Sequence, residues 1–159
     1  GSKLSIDERI KQLINELAVD KKEISILDPV QSNIFWEKTR CLNVFSNLKN
    51  NLLRIIVPGS EAFDLINKLK IYNIKYFIDW GGNLVWLQLD QLNSSILKEI
   101  KTIVKNLGGY LTVIKVDESL KASIDIFTID DVKYKISEKI KKSFDPKRIL
   151  NPGKMYTGI

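Results

Sequence analysis

Histidine is absent from this sequence of 159 residues, and cysteine occurs only once. Without histidine the chain cannot supply a Ser-His-Asp triad, a Cys-His dyad, a histidine-ligated metal centre or histidine acid–base catalysis. The lone Cys41 can form neither an intrachain disulfide nor a thiolate metal cage. The sequence therefore predicts no catalytic residue of these classes and no metal-ligand set.

Long apolar runs and low-complexity segments are also missing. No run approaches the roughly 18 apolar residues that span a bilayer, which argues against an integral membrane protein. A composition of 44% hydrophobic and 28% charged residues is typical of a globular chain. The start of the sequence reads as an amphipathic helix and not as a secretory signal, so we expect a cytoplasmic protein.

The charge balance is basic, with 25 lysines and arginines against 19 acidic residues and a net charge of +6. This excess raises nucleic acid or an acidic protein as a partner. RNA-binding sheets stack bases on aromatic residues of their central strands. The central-strand candidates here, residues 52–57 and 83–89, contain only Trp86. We therefore expect no nucleic-acid partner, and a basic nucleic-acid-binding module stays open as an alternative.

The first third of the chain predicts a helical and strand annex. Residues 1–2 look like the remnant of a removed expression tag, and the annex itself is placed at residues 3–51. Ser5 and Glu8 have the spacing of a capping box at a helix start. We predict a helix from there to about Ala18, a strand over residues 23–27, a helix over 34–42 and a loop over 43–51.

Residues 52–116 carry the most regular pattern of the chain. They predict a strand over 52–57, a helix capped by Ser60, strands over 75–79 and 83–89 joined at Gly81-Gly82, a helix capped by Asn93 or Ser94 and ended by Gly108-Gly109, and a strand over 110–116. This order predicts an α+β fold of the ferredoxin-like βαββαβ type, an antiparallel sheet with both helices on one face. Helices at both ends of the chain complete the prediction.

The last segment, residues 117–159, predicts a polar loop over 117–122, a helix starting at Asp130 and stopped by Asp145-Pro146, and a tail. The simplest interpretation of the tail is two turns, at Asp145-Pro146 and at Asn151-Pro152-Gly153. A second interpretation is that a rigid tail holds the Asn151 amide at a fixed point. An amide donates and accepts hydrogen bonds at once, which suits the polar edge of a flavin ring.

This tail, from Phe144-Asp145-Pro146 through Ile149-Leu150-Asn151-Pro152-Gly153-Lys154-Met155-Tyr156, resembles the C-terminal signature of the FAD-linked oxidases, the vanillyl-alcohol-oxidase-like flavoproteins. Within that family it is most similar to accessory flavin subunits of bacterial glycolate oxidases. Four further segments occur in the same order as in the family. They are Phe35-Trp36 with Arg40; Leu53-Arg54 leading to Val57-Pro58; Ile78-Asp79-Trp80-Gly81-Gly82 with Trp86-Leu87; and Gly108-Gly109.

The resemblance implies a protein of two parts, of which this chain is the second. The first part would hold FAD by its pyrophosphate, and the second would be a cap domain over the isoalloxazine. FAD is then the cofactor of the complete protein, and we do not expect this chain alone to retain it. The resemblance makes Asn151, Pro152 and Gly153 the expected flavin contacts. Arg40, Arg54 and Trp80 are weaker candidates, since either arginine could instead pair with a carboxylate.

The chain departs from the catalytic members of the family at its hairpin. Those members carry histidines there, in a stretch resembling His-x-Gly-x-Gly-Asn-x-His, whereas residues 80–85 contain none. Asp79 would be a weak base because an exposed aspartate titrates at about 4. The resemblance thus implies an accessory subunit, inactive alone, whose partners are the catalytic flavoprotein and iron–sulfur subunits of glycolate oxidase. Attachment of the complex to the inner membrane, and a purely structural docking role, stay open.

Overall fold

The structure, a computed structural model, describes residues 2–17, 24–45, 51–121, 123–154 and 156. The chain forms two units, Gly1–Asn43 and Val44–Ile159. The α-helices are α1 (Lys3–Glu16), α2 (Pro29–Arg40), α3 (Ala62–Leu69), α4 (Ser94–Asn106), α5 (Glu118–Lys121) and α6 (Asp131–Phe144). The strands are β1 (Asn51–Ile56), β2 (Lys75–Asp79), β3 (Leu84–Leu89) and β4 (Tyr110–Lys115).

The first unit contains α1 and α2, and both begin before their predicted starts. The Ser2 hydroxyl oxygen accepts from the N–H of Ser5 at 3.4 Å, so the predicted capping box at Ser5 is wrong and Ser5 lies inside α1. Asp28 and Gln31 exchange side-chain and backbone hydrogen bonds in a capping box at the start of α2. With proline at its first position, this box starts the helix at residue 29 and not at 34.

The strand predicted over residues 23–27 is wrong for the part that the structure describes. Residues 24–28 are irregular and lead into α2, because alternation alone does not make a strand without a neighbouring strand to pair with. Ala18 and Glu23 lie outside the described residues, as do residues 46–50 of the predicted loop. Asn51, the last residue of that loop, instead begins β1.

The second unit is built on a four-stranded antiparallel sheet in the order β2-β3-β1-β4. Its elements follow the predicted order of strand, helix, strand, strand, helix and strand, and the α+β class is confirmed. The core lies between one face of the sheet and the helices α3 and α4. Its main side chains are Leu53, Ile55, Leu65, Ile66, Leu69, Val85, Leu87, Leu89, Leu97, Ile100, Val104, Leu111 and Val113.

The helix ends of this unit agree with the prediction at α4 and differ at α3. Asn93 caps α4 by accepting from the N–H of Ile96 at 2.9 Å, and Gly108 follows the helix with a φ of 71°. The predicted cap by Ser60 is wrong, because a 3-10 turn over Gly59–Glu61 precedes α3. The Ser60 hydroxyl donates to the Glu61 carboxylate instead, at 3.3 Å.

The chain after β4 returns to the sheet before it forms α6. The predicted loop over 117–122 is wrong in its middle, where α5 forms a single helical turn. The N–H of Val113 then donates to the Ile126 carbonyl at 2.8 Å, and the N–H of Thr128 donates to the Leu111 carbonyl at 2.9 Å. Residues 126–128 therefore line the outer edge of β4. Asp130 caps α6 as predicted, by accepting from the N–H of Lys133 at 2.8 Å.

Within the described ranges no helix has the length and apolarity that crossing a bilayer requires.

Candidate functional site

The sheet face opposite α3 and α4 carries a row of side chains that crosses all four strands. The pairing register sets the residues of this row directly opposite one another, in the order Phe77, Trp86, Arg54, Thr112 and Phe127. Directly paired residues point to the same face of a sheet, and successive residues of a strand point to opposite faces. Because Leu53 and Ile55 lie in the core, Arg54 and the rest of this cross-strand row lie on the second face.

Arg54, at the middle of the cross-strand row, contacts the ring of Trp80. The guanidinium carbon lies 5.6 Å from the ring centroid, which is a cation–π distance. The Trp80 side chain stays 59% exposed. Among the described residues no carboxylate forms an ion pair with Arg54. The pair therefore offers a positive charge and a flat aromatic surface to a ligand.

The turn that carries Trp80 holds it in an unfavourable backbone conformation. Trp80, Gly81 and Gly82 have φ values of 55°, 60° and 97°, and a left-handed conformation costs a residue with a side chain roughly 1–2 kcal/mol. The Asn83 amide donates to the Trp80 carbonyl at 2.9 Å and accepts from the N–H of Gly59 at 3.1 Å. Asn83 thus ties the turn to the end of β1 and fixes Trp80.

This glycine turn does not have the chemistry of a phosphate site. The Asp79 carboxylate accepts from the N–H of Trp80 at 2.7 Å and so takes a donor that a phosphate would need. A carboxylate in that place also repels an anion. The backbone of this turn therefore does not offer a free set of N–H donors to a phosphate group.

The C-terminal tail is fixed at its start by the carboxylate of Asp145, whose side chain is only 9% exposed. One oxygen of this carboxylate accepts from the N–H of Ile149 at 3.0 Å. The other accepts from the N–H of Leu150 at 2.9 Å and lies 2.9 Å from the Lys141 ammonium. We name these four residues the Asp145 network. It binds the tail to the last turn of α6.

The Asp145 network sets the charge of its central carboxyl. The Lys141 ammonium and, after it, the two backbone donors lower the pKa of Asp145 to about 2. The ammonium also donates to the Leu150 carbonyl, so one lysine contacts both the carboxylate and the tail backbone. Asp145 is therefore ionised throughout the neutral range and keeps its acceptors available.

The end of the tail is held by Tyr156, which is buried. Its ring centroid lies 6.0 Å from that of Phe127 and 6.1 Å from that of Tyr134 in α6. Phe127 is the last member of the cross-strand row. Burial raises the pKa of the Tyr156 hydroxyl above its ordinary value. The tail is therefore attached to the same side of the sheet that carries Arg54.

Between these two attachments the tail is open to solvent. The N–H of Lys154 donates to the Asn151 carbonyl at 3.2 Å, which closes a turn over Pro152 and Gly153. Asn151 and Gly153 have φ values of 45° and 67°, and both are exposed, as is Pro152. The two predicted turns of the tail are thus present. Within the described residues the Asn151 side chain makes no hydrogen bond.

The predicted site residues fall into three places. Arg54 and Trp80 meet on the second face, and Asn151, Pro152 and Gly153 share the exposed turn of the tail; no hydrogen bond joins these two groups in the described part of the chain. Arg40 belongs to the first unit, where it pairs with Glu37 of α2 at 3.0 Å. This is the alternative that the sequence left open for an arginine.

Sequence reasoning missed the residues that hold these groups in place. Phe77, Thr112 and Phe127 could not be found because their row is set by the register between strands that are distant in sequence. Asp145 was noted as a helix stop, as the start of a turn and as part of the family signature, but not as the residue that fixes the tail. An aspartate before proline at a helix end often accepts from backbone groups that follow it, and this was the available signal.

Comparison with known proteins gives two matches. Residues 127–155 match the family model described as FAD linked oxidases, C-terminal domain, and this range includes Phe127, α6, Asp145 and the exposed turn. The chain is also similar to the "Glycolate oxidase subunit GlcE" of Escherichia coli (strain K12), with 27% identity over 127 residues. That alignment covers 79% of this chain and 32% of the relative, so the chain spans about a third of the relative's length. No solved structure matches. The resemblance read from the tail is confirmed.

Proposed function

We propose that this chain, which carries the C-terminal domain of an FAD-linked oxidase, is a cap over the isoalloxazine of FAD in an accessory subunit similar to GlcE. The family implies FAD as the cofactor of the complete protein. The cap role assigns to this chain the orientation and shielding of the flavin ring. Another polypeptide segment, the FAD-binding half, would grip the pyrophosphate.

One observation carries this proposal: the family match includes an exposed amide, that of Asn151, whose backbone is fixed on both sides. Asp145 binds the backbone just before Asn151, and Tyr156 is buried just after it. A short exposed turn would ordinarily be mobile, so two attachments around it indicate that its position matters. The Asn151 amide could then donate and accept at the polar edge of the flavin, with Pro152 and Gly153 against the ring.

Arg54 and Trp80 support the same role from the second face. A guanidinium near a flavin stabilises the negative charge of the reduced ring, and an exposed tryptophan can pack on a planar ligand. Both lie on the side of the sheet to which Tyr156 attaches the tail. We propose them as secondary flavin contacts and keep Arg40 as a weaker candidate, because Glu37 already neutralises it.

The chain's own residues argue against a catalytic role. FAD, when bound, supplies the hydride and electron transfer of the reaction. Oxidation of a hydroxy acid also needs a base for the hydroxyl proton. The chain has no histidine, and the Asp79 carboxylate already accepts from the N–H of Trp80. We therefore propose an accessory subunit and no catalytic residue in this chain.

The assembly and its reaction follow only by similarity. Because the relative is a glycolate oxidase subunit, we propose that the complex oxidises glycolate to glyoxylate. The partners would be a catalytic flavoprotein subunit, an iron–sulfur subunit and the FAD-binding half. We propose a cytoplasmic location, with any attachment to the inner membrane made through the complex.

The test is to co-express this chain with the FAD-binding polypeptide that the same gene or its neighbour encodes, and to measure the flavin spectrum and potential. In Asn151→Ala the loss of one hydrogen bond of about 1 kcal/mol should shift the two-electron potential by about 20 mV. The matched control is Asn106→Ala, at an exposed amide at the end of α4. It should change neither the flavin spectrum nor the potential.

Two results would contradict the cap role. One is the absence of any FAD-binding polypeptide encoded in or beside the gene. The other is a complex that assembles normally while Asn151→Ala leaves the spectrum and potential at the control values. The second result would favour a purely structural docking domain, which the exposed apolar side chains of α6 also suit.

A further inference from the structure

Helix α6 is inverted, with polar side chains toward its own domain and apolar ones toward solvent. Tyr134, Ser137 and Lys141 are the partly buried positions of the helix, and Lys141 belongs to the Asp145 network. The outward side carries Val132, Ile136, Ile140 and Phe144, which are 67%, 52%, 54% and 85% exposed. We name these four residues the α6 ridge. A surface helix ordinarily turns such residues to the core.

The spacing of the α6 ridge suits another helix. Its members are four residues apart, so they form one row that winds slowly along the helix from Val132 to Phe144, over about 18 Å. Rows of this spacing pack into the grooves between equivalent rows on a second helix at about −50°. A bilayer surface favours a wider apolar face than a ridge one residue across.

The charged side chains of α6 are distributed unevenly around the α6 ridge, and this distribution indicates the charge of a partner. At about 100° per residue, Asp131, Lys135 and Lys139 lie beside the α6 ridge on one flank, with Asp131 in the first turn of the helix. On the other flank Lys133 is occupied by Asp130 and Tyr110. The acidic Glu138 lies on the side away from the ridge, 3.7 Å from Arg148. Beyond the first turn, where Asp131 lies, the border of the ridge is therefore basic.

We infer that the α6 ridge is a docking surface for an amphipathic helix of a partner polypeptide, with aspartates or glutamates bordering its apolar row. Opposite charges beside an apolar seam select the partner in helix pairs, and like charges exclude it. A second copy of α6 would bring lysines against lysines. This inference goes beyond the flavin proposal and does not depend on it.

The experiment uses the whole chain and a labelled synthetic peptide of about 18 residues, long enough to form a helix on binding. The peptide carries leucines four residues apart with glutamates beside them, and its twin carries lysines in place of the glutamates. Fluorescence anisotropy should show saturable binding of the glutamate peptide that weakens with salt. The lysine twin should bind at least about tenfold more weakly, a difference of about 1.4 kcal/mol.

Two variants locate the binding on the chain. Ile136→Glu should reduce affinity for the glutamate peptide at least about tenfold, because it places a carboxylate among the glutamates. Ile71→Glu replaces an apolar residue that is 75% exposed outside α6 and should leave the affinity unchanged. Circular dichroism melting checks that both variants stay folded.

Four outcomes of the binding measurements, and one of a self-association measurement, would overturn the inference. The four are no binding of the glutamate peptide, equal binding of its lysine twin, equal binding by Ile136→Glu, and tighter binding of the chain to phosphatidylglycerol vesicles that Ile136→Glu abolishes. The last would assign the α6 ridge to a membrane surface. Self-association that Ile136→Glu abolishes would assign it to a second copy and would overturn the inference as well.

Discussion

At the scale of single residues, Asp145 decides how the tail leaves α6. A carboxylate that is withdrawn from water is unfavourable unless donors replace the lost water. Here one ammonium and two backbone N–H groups do so, and the Arg148 N–H also donates to the Asp145 carbonyl at 2.9 Å. The residue therefore joins the end of a helix to the exposed turn through four contacts.

Removal of this charge should free the tail without unfolding the sheet. Asp145→Asn replaces one carboxylate oxygen with an amide nitrogen, which cannot accept a hydrogen bond, and it removes the charge that pairs with Lys141. The hydrogen bonds from the Ile149 and Leu150 N–H groups are then weakened or lost, so both amides lose protection. We expect their hydrogen exchange at neutral pH to rise about tenfold, with the β1 amides unchanged. Asp117→Asn, at an exposed carboxylate, is the control. Unchanged exchange at both tail amides would contradict the role of Asp145.

The same network predicts an acid-dependent release of the tail. Because the pKa of Asp145 falls from 3.8 to about 2 on folding, its contribution to stability is complete above about pH 4. The contribution is lost as the pH falls through 4 toward 2. The amide resonances of Ile149 and Leu150, followed by NMR across this range, should shift with a midpoint near 2. A midpoint near 4 would show that Asp145 lacks these donors in solution.

At the scale of elements, the turn between β2 and β3 depends on a close approach of two glycines. A Cβ on Gly82 would lie 2.8 Å from the Gly59 carbonyl oxygen, whereas a Cβ on Gly81 would meet no atom within 4 Å. Both residues have positive φ, so backbone conformation alone disfavours a side chain at either place. Substitutions at the two positions therefore differ only in the contact with Gly59, which follows β1.

Substitution at these two positions should separate the contact from the conformation. We expect Gly81→Ala to lower the free energy of unfolding by about 1 kcal/mol, from the left-handed backbone alone. Gly82→Ala should lower it by about 3 kcal/mol, because the clash adds to that cost. Urea unfolding followed by tryptophan fluorescence measures both values. Equal losses would mean that β1 and the turn separate readily.

The elements of the second unit were predictable because residues that favour helix ends and turns mark their limits in the sequence. Asn93 and Gly108 bound α4, and two glycines mark the reversal after Asp79, so the limits of these elements agree with the sequence to within a few residues. The first unit shows the opposite case. Its predicted capping box at Ser5 competed with Ser2, and its predicted strand had the right alternation without a partner. A local sequence pattern does not show whether a strand will pair, because the partner strand lies elsewhere in the chain.

At the scale of the whole molecule, the separation of ring contacts from phosphate contacts has a direct consequence. In the proposed cap the exposed turn and Arg54 contact a flavin ring, whereas in the turn between β2 and β3 the Asp79 carboxylate takes the N–H of Trp80. We therefore expect this chain alone to show no saturable binding of FAD at micromolar concentration and to purify without yellow colour. Isothermal titration calorimetry is the measurement, and retained flavin would contradict the division of roles.

The candidate site was predictable only in its linear part. Asn151, Pro152 and Gly153 are contiguous, so their motif is visible in the sequence and the family match covers them. The cross-strand row joins residues from position 54 to position 127, and only the strand register brings them together. The cation–π contact between Arg54 and Trp80 likewise depends on the left-handed backbone at Trp80, which the sequence does not show.

The strand-like segment over residues 126–128 also decides where this sheet can grow. It takes the outer hydrogen bonds of β4 at Leu111 and Val113, and a paired stretch of edge cannot recruit a foreign strand. Within the described residues β2 has no such cover, although Lys75 places a charge at its first position. Among the described strands, aberrant strand addition is therefore expected at the edge of β2 rather than at the covered part of β4.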